Sequence, residues 1–371
     1  MDNIRAAWDW AVTQARIIEI ARGLNGLSRF FMLVGPFQEG EMLIGQAVNC
    51  VRALIEDVDR MAPDERILLS KLCVEQARFL NGQGKHAQAI AAAQTAIGWT
   101  LATGETSQVD CLQADAYLQW GEALGYRGEA ESARAKLEQS LSLARAATLL
   151  RVEAGALRTL GMISYNLGDY AGAKVYCDQS FCISRKMGDR WGEGRVLGSL
   201  GNIALNQGDY IQAKTYYEQV LQIYREIGDR TTESTALANL AITLYYKGEY
   251  AEARAFQDQA IRVSREIGNR RIEGFVLTSL GNASAEQGDY ASAETYLGQA
   301  LSISRETGNQ RLEVHVLNSL GLLFTCQGNH ANAKTCFEQS LHISREIGER
   351  QGEGFVLSSL CLLCHQQSND Q

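Results

Sequence analysis

The sequence predicts an all-α fold in which antiparallel helix hairpins are repeated and stacked as a solenoid. A leucine followed by a small residue recurs every 40 residues, at Leu160-Gly161, Leu200-Gly201, Leu240-Ala241, Leu280-Gly281 and Leu320-Gly321. A Gly-Asp-Tyr or Gly-Glu-Tyr tripeptide keeps the same period, starting at Gly168, Gly208, Gly248 and Gly288. A fixed period of this length indicates stacked units that each contact their neighbours, and not one globular core.

Each period predicts two helices separated by a tight turn. Within residues 190–207, Leu200 and Ile203 lie at helical spacing on one apolar face. Gly208 suits the left-handed conformation that ends a helix, and Asp209 suits the N-cap of the next one. We name the first helix of each hairpin A and the second B.

Small residues mark the places where the two helices of a hairpin approach each other. Gly201 and Ala213 occupy such places in one repeat. An alanine column continues the pattern at Ala133, Ala173, Ala213, Ala253, Ala293 and Ala333. A bulky side chain in this column would overpack the helix crossing, at a typical cost of ~1–3 kcal/mol.

The periodicity weakens towards both ends of the chain. We predict a capping or linker helix in residues 1–18, degenerate hairpins in 19–105 and regular hairpins in 106–349. Residues 350–371 are predicted to form a capping helix and a tail, with about eight hairpins in total. Pro36 suits the first turn of a helix in the first, degenerate hairpin.

Composition excludes several classes of protein. A formal net charge of -8 argues against non-specific nucleic-acid binding, which needs a basic surface. The nine cysteines are odd in number and irregular in spacing, which favours reduced thiols and a cytoplasmic location. No apolar run reaches the length of a membrane span, and the first residues lack a signal-peptide pattern.

One short motif suggests a cofactor, but packing explains it better. Cys361-Leu362-Leu363-Cys364-His365 matches the haem-attachment pattern Cys-x-x-Cys-His. Cys361 stands where other repeats carry glycine or alanine, so we interpret it as a packing residue. The five histidines have no metal-ligand spacing, and nothing places a nucleophile beside a base. The sequence therefore predicts no cofactor, no metal site and no enzymatic activity.

Two columns of opposite charge lie near the turns between repeats. Arginine recurs at Arg145, Arg185, Arg225, Arg265, Arg305 and Arg345, and glutamate follows eight residues later at Glu153, Glu193, Glu233, Glu273, Glu313 and Glu353. These charges suit the dipoles of the helix ends. We expect a solvated ladder of inter-helix ion pairs, and the alternative is a polyvalent site for an ionic ligand.

The repeat resembles the tetratricopeptide repeat. The family's small residue in helix A matches Gly121, Gly161, Gly201, Ala241, Gly281 and Gly321, and its alanine in helix B matches the column above. Its aromatic in helix B is matched in register by Tyr217 and Phe337, while the proline after helix B is absent. The repeat is also longer than the usual length of about 34 residues. The resemblance implies a right-handed superhelix whose A helices line a concave, partner-binding face.

The resemblance also implies which residues face the partner. Positions one, four and five after the glycine, and two, three and six before it, tend to point inward in the family. The candidate partner-binding residues are therefore Arg158, Tyr165, Arg195, Asn202, Asn206, Asn239, Tyr245, Tyr246, Asn282, His315 and Asn318. Two arginines do not make a clamp for a peptide carboxylate. Tyrosine and asparagine suit a neutral peptide segment, with a small polar ligand as the alternative.

A second resemblance concerns residues 2–11, Asp-Asn-Ile-Arg-Ala-Ala-Trp-Asp-Trp-Ala. This segment is similar to the one that joins the ATPase part of signal-transduction (STAND) ATPases to their repeat arm. The phosphate-binding loop is missing, since Gly82-Gln83-Gly84-Lys85-His86 has the wrong spacing. The resemblance implies a sensor arm of such a regulator, and the alternative is a free-standing adaptor. We expect a protein or peptide partner, no nucleic acid, no membrane, and an apolar C-terminal cap open to self-association.

Overall fold

The computed structural model describes residues 2–33, 37–53, 61–103, 107–348 and 350–369. Within these residues all regular structure is helical and no strand occurs. The all-α class and the hairpin repeat predicted from the sequence are confirmed. Pro36, assigned above to the first hairpin, lies outside the described residues.

Contacts divide the chain into two compact units, Met1–Ser199 and Leu200–Gln371, which we call unit 1 and unit 2. The helices of unit 1 are α1 (Asp2–Thr13), α2 (Ile17–Leu33), α3 (Phe37–Ala53), α4 (Pro63–Gly82), α5 (His86–Leu101), α6 (Ser107–Tyr126), α7 (Ala130–Ala146), α8 (Leu150–Asn166) and α9 (Tyr170–Met187). The boundary falls within α10 (Arg190–Asn206). Unit 2 continues with α11 (Tyr210–Ile227), α12 (Arg230–Lys247), α13 (Tyr250–Glu266), α14 (Arg270–Glu286), α15 (Tyr290–Glu306), α16 (Gln310–Cys326), α17 (His330–Ile347) and α18 (Arg350–Asn369).

Successive helices pair as hairpins in both units. In unit 1 the A helices α4, α6 and α8 pack along the B helices α5, α7 and α9. In unit 2 the A helices α12, α14 and α16 pack in the same way along α13, α15 and α17. A helices of neighbouring hairpins also contact each other, for example α14 and α16. The A helices within a unit therefore form a contiguous layer.

The turns use the glycine and the cap that the sequence predicts. Gly208 has φ of +77°, a backbone conformation that side-chain-bearing residues rarely adopt. The Oδ1 atom of Asp209 then accepts a hydrogen bond of 3.0 Å from the amide of Gln212. This turn thus ends one helix and begins the next within three residues. The turn before α8 differs, because Thr148 has the positive φ and Leu149 makes no side-chain cap hydrogen bond.

The helix crossings explain the small-residue columns. A Cβ atom added at Gly321 would lie 2.4 Å from Cε1 of the buried Phe337, and one at Gly201 would lie 2.8 Å from Cε1 of Tyr217. Ala213 is fully buried. The A helix therefore presents a flat surface on which a large side chain of the B helix lies.

Serine hydroxyls add a second link between the two helices of a hairpin. Ser340 Oγ donates to the carbonyl of Val314 at 2.9 Å, and Ser140 Oγ donates to the carbonyl of Ala114 at 2.7 Å. Both serines are buried, and each bond joins a B helix to the middle of its A helix. Sequence analysis missed this link, because serine is equally common on helix surfaces.

The arginine and glutamate columns form ion pairs, but the ladder is not fully solvated as expected. Arg225 Nε lies 2.9 Å from Glu233 Oε1, and Arg230 Nη1 lies 2.6 Å from Glu233 Oε2. The arginines remain half exposed, whereas the Glu233 side chain is only 5% exposed. A buried carboxylate needs more than one partner to offset its lost hydration, and the second arginine supplies it.

Candidate functional site

The predicted partner-binding residues divide between the two units. Arg158, Tyr165 and Arg195 belong to unit 1, and the other eight belong to unit 2. Each unit presents its own A-helix surface.

In unit 1, Glu122 on α6 lies between two arginines of the following A helices. Arg158 Nη2 on α8 lies 2.8 Å from Glu122 Oε1, and Arg195 Nη2 on α10 lies 3.7 Å from the same oxygen. The Arg158 and Glu122 side chains are 11% and 14% exposed. Burial by itself would raise the pKa of Glu122, but the attraction of Arg158 and Arg195 outweighs it and lowers that pKa.

A second, half-buried pair continues this layer on the preceding helices. Arg78 on α4 pairs with Asp115 on α6 at 2.5 Å, and its guanidinium also lies 3.7 Å from Glu75. Burial opposes the charged form of Arg78, but Asp115 and Glu75 outweigh it, so its pKa is raised. We call Glu75, Arg78, Asp115, Glu122, Arg158 and Arg195 the charged cluster. Its three cations and three anions balance.

Two of the three residues predicted for unit 1 to contact a partner, Arg158 and Arg195, already contact other residues of the charged cluster. Arg158 is held by Glu122, and Arg195 also lies over the ring of Trp191 at 4.6 Å from its centroid. Sequence analysis missed Glu122 and Asp115. The signal was present, because they stand one residue after and six residues before Gly121, at positions that the family turns inward.

Tyr165 is the third predicted residue of unit 1. It is half-buried, and its ring lies 5.7 Å from that of Tyr170, which opens the next B helix. The ring therefore covers the turn between α8 and α9.

In unit 2, four tyrosine rings meet where α12 ends. Tyr245 and Tyr246 have ring centroids 5.8 Å apart and planes at 75°. Tyr210 of α11 stacks on Tyr246 at 6.0 Å, and Tyr250 of α13 lies 5.2 Å from Tyr245. The Tyr245 hydroxyl donates to the carbonyl of Ala283 on α14 at 2.9 Å, which ties the aromatic group to the next A helix.

A small cavity opens beside these rings, between α12 and α14. Its volume is ≈ 90 Å³, and we call it the tyrosine cleft. It is lined by Ile242, Tyr245, Tyr246, Gln257, Ser279, Asn282, Ala283 and Glu286. Three of the predicted partner-binding residues, Tyr245, Tyr246 and Asn282, thus meet around one cavity.

The cleft carries a negative charge. Burial and the nearby Glu286 carboxylate raise the pKa of Tyr245 to about 12, and they raise the pKa of Tyr246 in the same way. Both shifts show that a further negative charge is disfavoured at this place. Tyr246 is 52% exposed, so the cleft is accessible from solvent.

The remaining predicted residues of unit 2 do not line the cleft. Asn202 accepts the Tyr217 hydroxyl at 2.5 Å and so takes part in the hairpin packing. Asn206 is exposed and donates to the carbonyl of Asn202 at 3.0 Å. Asn239 is half-buried and His315 is exposed on the surface. The buried Oδ1 of Asn318 accepts no hydrogen bond from the described residues.

Three further observations bear on other kinds of site. Within the described ranges, no group of three or more histidine, cysteine, aspartate or glutamate residues could hold a metal ion. No described helix is long and apolar enough to cross a bilayer. Cys361 is exposed on α18, so the packing role expected for it is wrong. The side chains of Cys364 and His365, the other residues of the haem-attachment pattern, lie outside the described residues.

Solved structures with a similar fold include several regulators. The apo form of the quorum sensor NprR from B. thuringiensis matches with a TM-score of 0.63 and 14% identity, over 92% of this chain and 98% of that one. A Rap protein complexed with competence and sporulation factor matches with a TM-score of 0.60 and 13% identity, over 96% and 100%. A STAND protein with a tetratricopeptide repeat sensor from Pyrococcus horikoshii matches with a TM-score of 0.58 and 17% identity, over 94% of this chain and 54% of that one.

Sequence comparison identifies the family. None of the curated proteins matches the chain. A profile of the family described as tetratricopeptide repeat matches residues 152–226, 192–266, 232–306 and 272–346, which together span more than half of the chain. With the 40-residue period and the helix hairpins, this match shows that the chain belongs to the tetratricopeptide repeat family.

Proposed function

We propose that this chain is a non-catalytic binding module that holds a protein or peptide partner on the A-helix surface of unit 2. The tyrosine cleft carries the proposal. It gathers accessible aromatic and amide groups from two consecutive A helices around one cavity. Tyrosine is enriched among the residues that contribute most binding energy, and asparagine supplies adaptable hydrogen bonds. The tetratricopeptide repeat fold is typical of binding and regulatory proteins, which supports the same role.

The charged cluster of unit 1 makes a weaker candidate. Its cations and anions satisfy each other, and Arg158 and Glu122 are largely buried. A partner would have to break these pairs before it gained any contact, and breaking a buried pair is costly. The tyrosine cleft demands no such exchange, because Tyr246 is already half exposed.

A non-catalytic role agrees with the chemistry of the buried thiols. Burial raises the pKa of Cys73 to about 11 and that of Cys177 to about 12, so neither thiol forms the reactive thiolate at neutral pH. The described cysteines are free, which supports our proposal of a reducing, cytoplasmic location.

A site-specific photo-crosslink tests the proposed surface. p-Benzoylphenylalanine introduced at Tyr246 should give an adduct with a defined partner in the source cells. The matched control carries the same group at Ile211, an exposed position on the B helix α11 (71% exposed). An adduct formed equally well from Ile211 would show that the partner is not bound specifically on the A helices. The absence of an adduct from both positions would refute the binding role.

The resemblance of residues 2–11 motivates a finer proposal, in which the chain is the sensor arm of a STAND-type regulatory ATPase. Partner binding would then change the packing of the A helices and signal to the attached ATPase. An antibody against this chain distinguishes the two contexts. The arm predicts a cellular polypeptide much larger than 40.8 kDa, whereas a band at that mass supports the alternative, a free-standing adaptor.

A further inference from the structure

The aromatic walls of the tyrosine cleft form a corner. The rings of Tyr245 and Tyr246 stand at 75° to each other, with Tyr210 stacked on Tyr246. The faces of aromatic rings carry partial negative charge and attract cations within about 6 Å of the ring centroid. Two rings at a steep angle allow one cation to lie near both.

The carboxylate of Glu286 lines the same cleft and has no ion pair among the described residues. The lysines near the tyrosines are already engaged. Lys247 Nζ lies 2.6 Å from Glu249, and Lys214 Nζ lies 3.4 Å from Glu249 and 3.2 Å from Glu252. The charge of Glu286 is therefore left uncompensated beside the aromatic corner. Burial raises the pKa of both tyrosines, and the Glu286 carboxylate raises it further.

The size of the cleft limits what it can hold. Sites for small-molecule ligands commonly measure roughly 300–1,000 Å³, whereas the tyrosine cleft measures ≈ 90 Å³. It therefore accommodates the end of one long side chain. The side-chain oxygens of Asn282, Ser279 and Gln257 in its wall are acceptors for the N–H groups of an ammonium or guanidinium ion.

From the ring geometry, the Glu286 carboxylate without an ion pair among the described residues and the size of the cleft, we propose that the tyrosine cleft binds a lysine or arginine side chain of the partner peptide. This inference rests on the proposed function, because it names the group by which the partner is anchored. The net charge of -8 favours the approach of such a basic segment. The peptide expected from sequence analysis was neutral, and the proposal replaces it with a basic one.

A phage-displayed library of random dodecapeptides tests the inference. The library is selected on four proteins: the wild type, Glu286→Gln, Tyr246→Ala and the control Glu218→Gln. Glu218 is an exposed glutamate of α11 outside the cleft, so its substitution changes the net charge equally. We expect wild type and Glu218→Gln to select peptides with lysine or arginine at one shared position, and the two cleft variants to lose this preference.

Synthetic peptides then measure the contribution of the cation. Where the shared residue is arginine, it is first replaced by lysine. In each peptide the shared lysine is replaced by norleucine, which keeps the alkyl side chain and removes the positive charge. This should weaken binding to the wild type by about 10- to 100-fold and should change binding to Glu286→Gln much less. Selected peptides without a basic residue, or equal losses on both proteins, overturn the inference and leave the proposed function intact. Failure of the wild type to select any peptide overturns both.

Discussion

The substitution Gly321→Ala tests the helix crossing on which every hairpin depends. The added Cβ atom would lie 2.4 Å from Cε1, 2.6 Å from Cδ1 and 2.8 Å from Cζ of Phe337. Contacts below 3.0 Å do not occur for real Cβ atoms, so the ring or the helices must move. Phe337 is fully buried in a cluster with Ala333, Val356 and Leu363, so a movement of the ring would disturb these packed neighbours. Such overpacking costs about 1–3 kcal/mol.

A matched control removes the intrinsic effect of the amino-acid exchange. Gly298 lies in the interior of α15, and a Cβ atom there would meet nothing within 4 Å. Gly298→Ala should therefore stabilise the protein by about 0.5–1 kcal/mol, the ordinary gain of alanine over glycine in a helix. The two variants share this gain, so the difference between them should equal the overpacking cost of about 1–3 kcal/mol.

Native-state hydrogen exchange is the appropriate assay, because the stability of a repeat array is a sum of local terms. The opening free energies of α16 and α17 should fall in Gly321→Ala, while those of α15 should rise in Gly298→Ala. A difference between the two variants smaller than about 0.5 kcal/mol, the usual scatter of surface substitutions, would refute the packing role assigned to Gly321.

Three further predictions follow from the buried charges, the turns and the serine links. Glu122→Gln leaves Arg158 without its carboxylate and should lower the free energy of unfolding at pH 7 by on the order of 3–5 kcal/mol. The pKa of Glu122 in the folded protein lies below its usual value of 4.5. The stabilisation by its ion pair is therefore complete above pH 4.5 and is lost as the pH falls through the folded pKa. Urea unfolding at pH 7 and at lower pH should show this loss. Gly208→Ala forces alanine to φ of +77° and should cost about 1–2 kcal/mol by the same urea assay. Ser340→Ala removes the bond to Val314 and should cost about 1 kcal/mol, measured by amide exchange in α17.

Each of these predictions has a contrary result. A difference between wild type and Glu122→Gln that persists unchanged at low pH would contradict the assigned pKa shift. Equal or higher stability of Gly208→Ala would mean that the turn tolerates a side chain at positive φ. Unaltered exchange in α17 of Ser340→Ala would show that the hydroxyl bond adds no net stability to the hairpin.

The hairpins were predictable from sequence because their determinants are local. A left-handed turn favours glycine and an N-cap favours a short side-chain acceptor, so Gly208 and Asp209 together indicate the turn. The pairing of Gly321 with Phe337 was predictable because the 40-residue period aligns both with their equivalents. The burial of Glu233 could not be predicted from the sequence, because it depends on the tertiary structure. Arg225 and Arg230 reach the same carboxylate from two helices.

The candidate site was predictable in part. The inward positions of the A helices include Tyr245, Tyr246 and Asn282, which the structure brings together at one cavity. The same positions include Arg158, whose neighbour Glu122 engages it within the protein. The position of a residue within the repeat predicts which face of the helix it lies on. It does not predict the ion-pair partner of a charged residue, because that partner lies in a neighbouring hairpin.

The 40-residue repeat preserves the packing between helices, but it does not preserve the side chains that line the tyrosine cleft. Extensive contacts within each unit join helices one or two places apart along the chain, so the gain or loss of one whole hairpin by unequal recombination keeps every type of helix crossing. The tyrosine cleft has no such protection. Its walls come from two neighbouring hairpins, and the equivalents of Tyr246 in other repeats are Asn206, Glu286 and Cys326. Genetic exchange in register would therefore preserve the fold while replacing the proposed recognition site, and under our proposal the choice of partner could change while the architecture stays the same.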